Sequence, residues 1–272
     1  SFWEVKVNPA SKEYNSKNQL VAEGFLSNGI VQGYWEYYFE PKENWRTKQK
    51  IFYVVGTKDS IEYVYYKNGN VYREQSWKNG KQNGKEIYYF DNGTIEFIRN
   101  YSNNEKDGEW KRYYEDKQLR ELENYSNGKS VGTHIRFYEN GDTSSVSYYN
   151  NDGKRTKCIG KYKIGKLEWI WTFNYAASSF ISEYVNYSES GKITSKTRSY
   201  YDEIIKYQED GEQIFYYENG NLKEKKYYDM GKETGVWEYY DENGKLTKSE
   251  NKNWMPATNS TFALWQGNWE YK

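Results

Sequence analysis

The chain has 272 residues, with 39 Lys plus Arg against 39 Asp plus Glu. That balance argues against a dedicated nucleic-acid binder, which needs a net basic face to displace counterions. Aromatic residues make up 20% of the chain, with 32 Tyr and 11 Trp, so rings must take the place of an aliphatic core. The 22 Gly and 3 Pro read as many turns between short strands. Cys158 is the only cysteine, so no internal disulfide forms. No apolar run is long enough for a membrane-spanning helix.

In chain order, "SFWEVKV" (1–7) reads as an atypical N-terminal cap. "QLVAEGFLSNGIVQG" (19–33) and "GYWEYYFE" (33–40) form a first unit, 19–40. Residues 41–60 read as an insertion. Four units follow at 61–84, 84–107, 108–131 and 132–154. They carry "GKEIYYFDNGTI" (84–95), "GEWKRYYEDKQL" (108–119) and "GTHIRFYENGDT" (132–143). Gly84, Gly108 and Gly132 are spaced evenly, as are Gly211 and Gly235. From 155 to 210 the pattern decays, and "WIWTFNY" (169–175) looks like a worn copy. It returns at 211–234 and 235–250, the latter opening with "GVWEYYDENGKL". Residues 251–272 read as a C-terminal cap.

One unit predicts one β-hairpin. Trp237 and Tyr239 are two apart and share a strand face, while Tyr240 points to the other. Asn-Gly is expected to supply the residues that tolerate positive φ in the turn. Such a hairpin is not stable alone, so neighbours must pair edge to edge. The expected fold is all-β: an elongated repeat of antiparallel β-hairpins forming a long, twisted, single-layer meander, as one repeat domain over 1–272. Each unit would add roughly 10 Å, and stability would come from nearest-neighbour contacts.

The unit G-x-W-x-Y-Y-x-x-N-G-x-L, with its trailing Y-x-x-G-K, resembles the bacterial variant of the MORN repeat, an antitoxin-associated repeat type. The resemblance covers most of the chain and is weakest from about 150 to 210. It implies a scaffold for protein partners, an association with lipid or membrane surfaces, or an antitoxin-like partner of a bacterial toxin. It carries no catalytic motif. This sequence departs from the pattern at Glu86, His134 and Gln213, which stand where the Trp is expected. A second resemblance, of "IYYFDNG" (87–93) to choline- or glucan-binding cell-wall repeats, implies exposed rings that grip cations or sugars. Here Trp35, Trp110 and Trp237 are each separated from the next aromatic residue by a charged one, which favours the first resemblance.

The search for chemistry returns little. His134 is the only histidine, so a nucleophile–His site has no motif behind it. One His and one Cys build no usual zinc shell. Asp91, Glu139, Glu218 and Glu242 recur in corresponding turns and read as solvated turn formers; calcium is the ion they would suit. The Lys-rich second strands are interleaved with Glu and read as a mixed-charge solvent face. The expectation is a non-enzymatic scaffold without cofactor or metal that binds a protein, without nucleic acid. The alternative is a glycan-binding aromatic module, and a membrane surface is a further candidate partner. The expected binding residues lie on the aromatic face: Trp35, Tyr37, Trp110, Trp171, Trp237 and Tyr239. The start at Ser1 suggests a removed leader and a protein exported to, or displayed on, a bacterial surface.

Overall fold

The computed structural model describes residues 11–39, 47–176, 178–204 and 206–252. Among them are 23 strands and no helix. Both terminal caps, apart from residues 251 and 252, lie outside the described residues. The chain divides into two compact units. One comprises Ser1–Asn174 and Asn186–Gly191, the other Tyr175–Val185 and Lys192–Lys272. In the first, strands pair antiparallel with their sequence neighbours, from Ser11–Tyr14 on Leu20–Ser27 through to Arg155–Lys161 on Leu167–Tyr175. In the second, Ile193–Asp202 pairs with Gly211–Tyr216, which pairs in turn with Leu222–Asp229; Lys232–Tyr240 and Leu246–Asn251 follow. This is the all-β hairpin meander that the repeat predicts.

Two turn types recur along each meander, and in the first unit their alternation breaks at Asn150–Lys154, a three-residue loop between two others of the same kind. The first type is a three-residue loop. In Tyr66–Asn70 the Gly69 N–H donates to the Tyr66 carbonyl, and the Tyr66 N–H donates to Asn70. Gly69 alone has positive φ (93°), the signature of a type I turn closed by a glycine bulge. The expected role of the preceding Asn is therefore corrected. Asn68 keeps negative φ, and its side-chain oxygen accepts the Asn70 N–H at 2.9 Å. Asn92, Asn140 and Asn219 do the same. Lys117 occupies the glycine seat in one loop, with φ of 73°.

The second turn type is a two-residue loop with both residues at positive φ: Asn28–Gly29, Asn79–Gly80, Asn103–Asn104, Asn127–Gly128 and Met230–Gly231. Its geometry follows the right-handed strand twist. The turn at Val55–Gly56 belongs to this class. Residues 47–60 are thus not an insertion. Thr47–Val54 pairs on one side with Ile30–Tyr38 and on the other with Thr57–Tyr65. Val55 replaces the turn Asn, and Ser60, at φ 61°, replaces the glycine that opens other units, so the pattern was hidden in the sequence.

Those opening glycines sit in β-bulges at positive φ: Gly33, Gly84, Gly108, Gly132, Gly211 and Gly235. The bulge turns the residue two places on, here called the slot, onto one face of the sheet. Adjacent hairpins are tied at both edges. At the three-residue edge a Tyr hydroxyl donates to a carbonyl one unit ahead. Tyr66 reaches Tyr89 (2.7 Å), Tyr114 reaches Phe137 (2.9 Å), Tyr138 reaches Lys161 (2.6 Å) and Tyr217 reaches Tyr240 (2.7 Å). At the two-residue edge a turn N–H donates one unit back, from Gly80 to Lys58 and from Gly128 to Lys106.

Two substitutions test this account with opposite signs. A Cβ on Gly24 would meet the Trp35 ring at 2.4 Å, so Gly24→Ala should lower stability by about 1–3 kcal/mol. Lys117→Gly removes left-handed strain and should raise stability by about 1 kcal/mol. Urea denaturation followed by circular dichroism reads both.

Candidate functional site

The slot residues line up across neighbouring strands of the first unit. Trp35 faces Gly24 and Ile51, Gln75 faces Glu62 and Glu86, and Glu86 faces Arg99. Further along, Trp110 faces Glu123, His134 faces Ser147, and Cys158 faces Ser147 and Trp171. The Trp35 ring lies close over Gly24 of the neighbouring strand. Each slot ring donates to the carbonyl ten residues back: Trp35 to Phe25 (2.9 Å), Trp110 to Asn100 (2.9 Å) and, in the second unit, Trp237 to Tyr227 (3.2 Å). His134 repeats the contact through Nε2 to Asn124 at 2.8 Å. A carbonyl only accepts, so His134 carries its proton on Nε2. It stands between Tyr125 and Tyr149, with ring centroids 5.4 and 4.4 Å away. The sole histidine is a packing residue.

Of the six sequence-nominated residues, Trp35, Trp110 and Trp237 are buried at 1%, 8% and 6% exposure. Their indoles support the sheet. Tyr37, Trp171 and Tyr239 are half-buried. Trp35 shares a strand face with Tyr37, and Trp237 with Tyr239. Trp35 and Tyr37 lie on one strand of the first unit, Trp110 and Trp171 on two others, and Trp237 and Tyr239 on one strand of the second unit. Lys226 and Lys248 stand over the Tyr239 ring at 5.8 and 5.3 Å. The turn acids Asp91, Glu139, Glu218 and Glu242 are exposed. Among the described residues no three His, Cys, Asp or Glu side chains gather as a metal site.

In mid-row the rings give way to a buried polar network that sequence reading missed. Glu62, Gln75 and Glu86 are 1%, 0% and 3% exposed. A carboxylate so placed costs several kcal/mol unless paired. Glu62 accepts from Trp77 Nε1 (2.8 Å), Lys58 (3.1 Å), Arg73 (3.3 Å) and Gln49. Glu86 accepts from the Tyr88 hydroxyl at 3.2 Å and lies 3.6 Å from Arg99 and 3.9 Å from Arg73. Arg73 thereby spans both carboxylates. Glu62 was legible in principle: it holds the slot two residues after Ser60, a frame concealed by the missing glycine.

The opposite face carries an apolar ladder. Leu122 faces Ile135, Ile135 faces Val146, Val146 faces Ile159, and Ile159 faces Ile170. All five side chains are half-buried. Among the described residues of this unit, no helix packs over them.

The network and the buried phenols yield two predictions. Glu62→Ala leaves Lys58 and Arg73 facing a buried void and should cost about 3–5 kcal/mol in urea denaturation. The second concerns alkali. Burial, followed by the hydrogen bond to Glu74, pushes Tyr89 from 10.0 to about 12. Burial and the Glu86 charge push Tyr101 up to about 12. The folded state thus prefers the neutral phenols. Their contribution is complete below pH 10.0 and is lost as pH rises to about 12. The urea midpoint measured against pH should fall in that window, together with a late rise in phenolate absorbance. A flat midpoint across it would contradict the assignment.

Comparison with known proteins places a family pattern on this geometry. The MORN repeat variant matches residues 58–79, 82–103, 106–127, 209–230 and 233–251. The first four stretches begin in or near the strand that leads into a bulge and end at the following two-residue turn, and the fifth ends at the close of strand Leu246–Asn251. No curated protein matches the chain. Among solved structures, the Photorhabdus luminescens Tc holotoxin pore overlaps 89% of this chain and 16% of that chain, at 12% identity and a TM-score of 0.20. That overlap supports no statement about fold or function. The chain is an all-β repeat protein in which five stretches match the MORN repeat variant.

Proposed function

We propose that the chain is a non-enzymatic repeat scaffold that binds a protein partner. The observation that supports this is the ladder Leu122, Ile135, Val146, Ile159 and Ile170, a contiguous half-buried apolar row on one sheet face. Contiguous apolar surface of this kind marks interaction sites on folded proteins. The repeat lays such rows out one hairpin at a time, which suits an extended partner surface. An antitoxin-like role, in which the partner is a toxin occluded by this face, is the narrower form of the same reading. A glycan-binding role draws little from the indoles, because Trp35, Trp110 and Trp237 are covered and present no open ring face to a sugar.

The test is cross-linked capture from the source cells. The wild-type chain should retain a defined protein, and Leu122→Glu or Ile159→Glu should lose it while keeping the circular dichroism spectrum. Retention of glycans with no protein, or capture unaffected by both substitutions, would overturn the proposal.

A further inference from the structure

The face opposite the ladder holds a groove of about 360 Å³, lined by Phe97, Arg99, Lys106, Trp110, Arg112 and Tyr125, with Glu121 and Glu123 at its side. Lys106 is half-buried. Its ammonium stands 4.3 Å from the Trp110 ring centroid and 4.5 Å from that of Tyr125. Most other charges of the groove have partners on the chain. Arg99 lies 3.6 Å from Glu86, Arg112 lies 3.4 Å from Glu96, and Glu121 lies 3.1 Å from Arg136. Glu123 accepts from the Tyr125 hydroxyl at 2.9 Å. Lys106 meets rings.

The chain contains its own template for this lysine. Two units upstream, in the same register, stands Lys58. It lies 4.5 Å over the Trp77 ring, which corresponds to Tyr125. It also bonds the slot carboxylate of Glu62 at 3.1 Å. In the Lys106 unit the slot holds Trp110. The lysine and its ring are retained, and the carboxylate has been exchanged for an indole.

We infer that the groove around Lys106 binds a carboxylate side chain from an acidic peptide segment of a partner, which takes the role that Glu62 plays for Lys58. The chain's own template selects a carboxylate: in the same register Lys58 meets one, Glu62, at 3.1 Å. Phe97 and Tyr125 supply apolar walls for the methylenes of a Glu side chain. The inference rests on the reading that the partner is a protein, but it concerns the other face of the sheet and other residues.

The probe is a dye-labelled acetyl-tetraglutamate amide, titrated with the intact chain by fluorescence anisotropy. A tetraglutamine peptide and phosphatidylserine vesicles serve as comparisons. The tetraglutamate should bind better than either. Lys106→Gln should weaken it by about fivefold, and Lys106→Arg should stay within about twofold of wild type because the charge remains. Equal binding of tetraglutamine, equal affinity for Lys106→Gln, a loss in Lys106→Arg as large as in Lys106→Gln, or vesicle binding in place of peptide binding would each overturn the inference. Leu122→Glu should leave the titration unchanged, so a failed ladder and a failed groove are told apart.

Discussion

A glycine bulge followed two residues later by a ring is the contact on which this architecture depends. A lone hairpin buries too little to hold together. The bulge turns the slot side chain over its own strand pair, and the slot N–H reaches a carbonyl ten residues back. Asn100 shows the economy of the arrangement: its carbonyl already accepts the Asp107 N–H at 3.0 Å, and the Trp110 indole takes the remaining lone pair at 2.9 Å. Polar satisfaction and apolar cover come from one side chain. His134 can stand in for Trp because it offers both a flat ring and a donor.

Where the slot holds no ring, the cover must be built differently. Glu62 and Glu86 are buried only because Lys58, Arg73, Arg99, Trp77 and nearby phenols converge on them. The same requirement explains why the neighbourhood of Lys106 differs. Its register matches Lys58, but its slot matches Trp35. One repeat rule, applied with two alternative slot chemistries, leaves a cation with its aromatic support and without its acid.

The ties between units give the meander its coupling. Tyr hydroxyls act at one edge and turn amides at the other, each bond joining one hairpin to the next. Stability in such a sheet is a sum of local and nearest-neighbour contributions. The ladder residues Leu122, Ile135, Val146, Ile159 and Ile170 form none of these ties.

The sequence by itself determined the hairpin unit, the antiparallel meander and the structural role of His134. Each follows from spacing: glycine and ring two apart, then a turn, then alternation. Turn chemistry was half legible. Asn-Gly announced a turn, but whether Asn adopts positive φ or accepts a hydrogen bond depends on loop length, which the dipeptide does not encode. Residues 47–60 were misread as an insertion because Val55 and Ser60 adopt backbone conformations that other units assign to Asn and Gly. Only the tertiary structure decided which aromatics are covered and which charges are paired. Trp35, Trp110 and Trp237 looked like a presented surface, yet their rings are buried against neighbouring strands. Burial and pairing are properties of adjacent hairpins, so no single unit of sequence could reveal them.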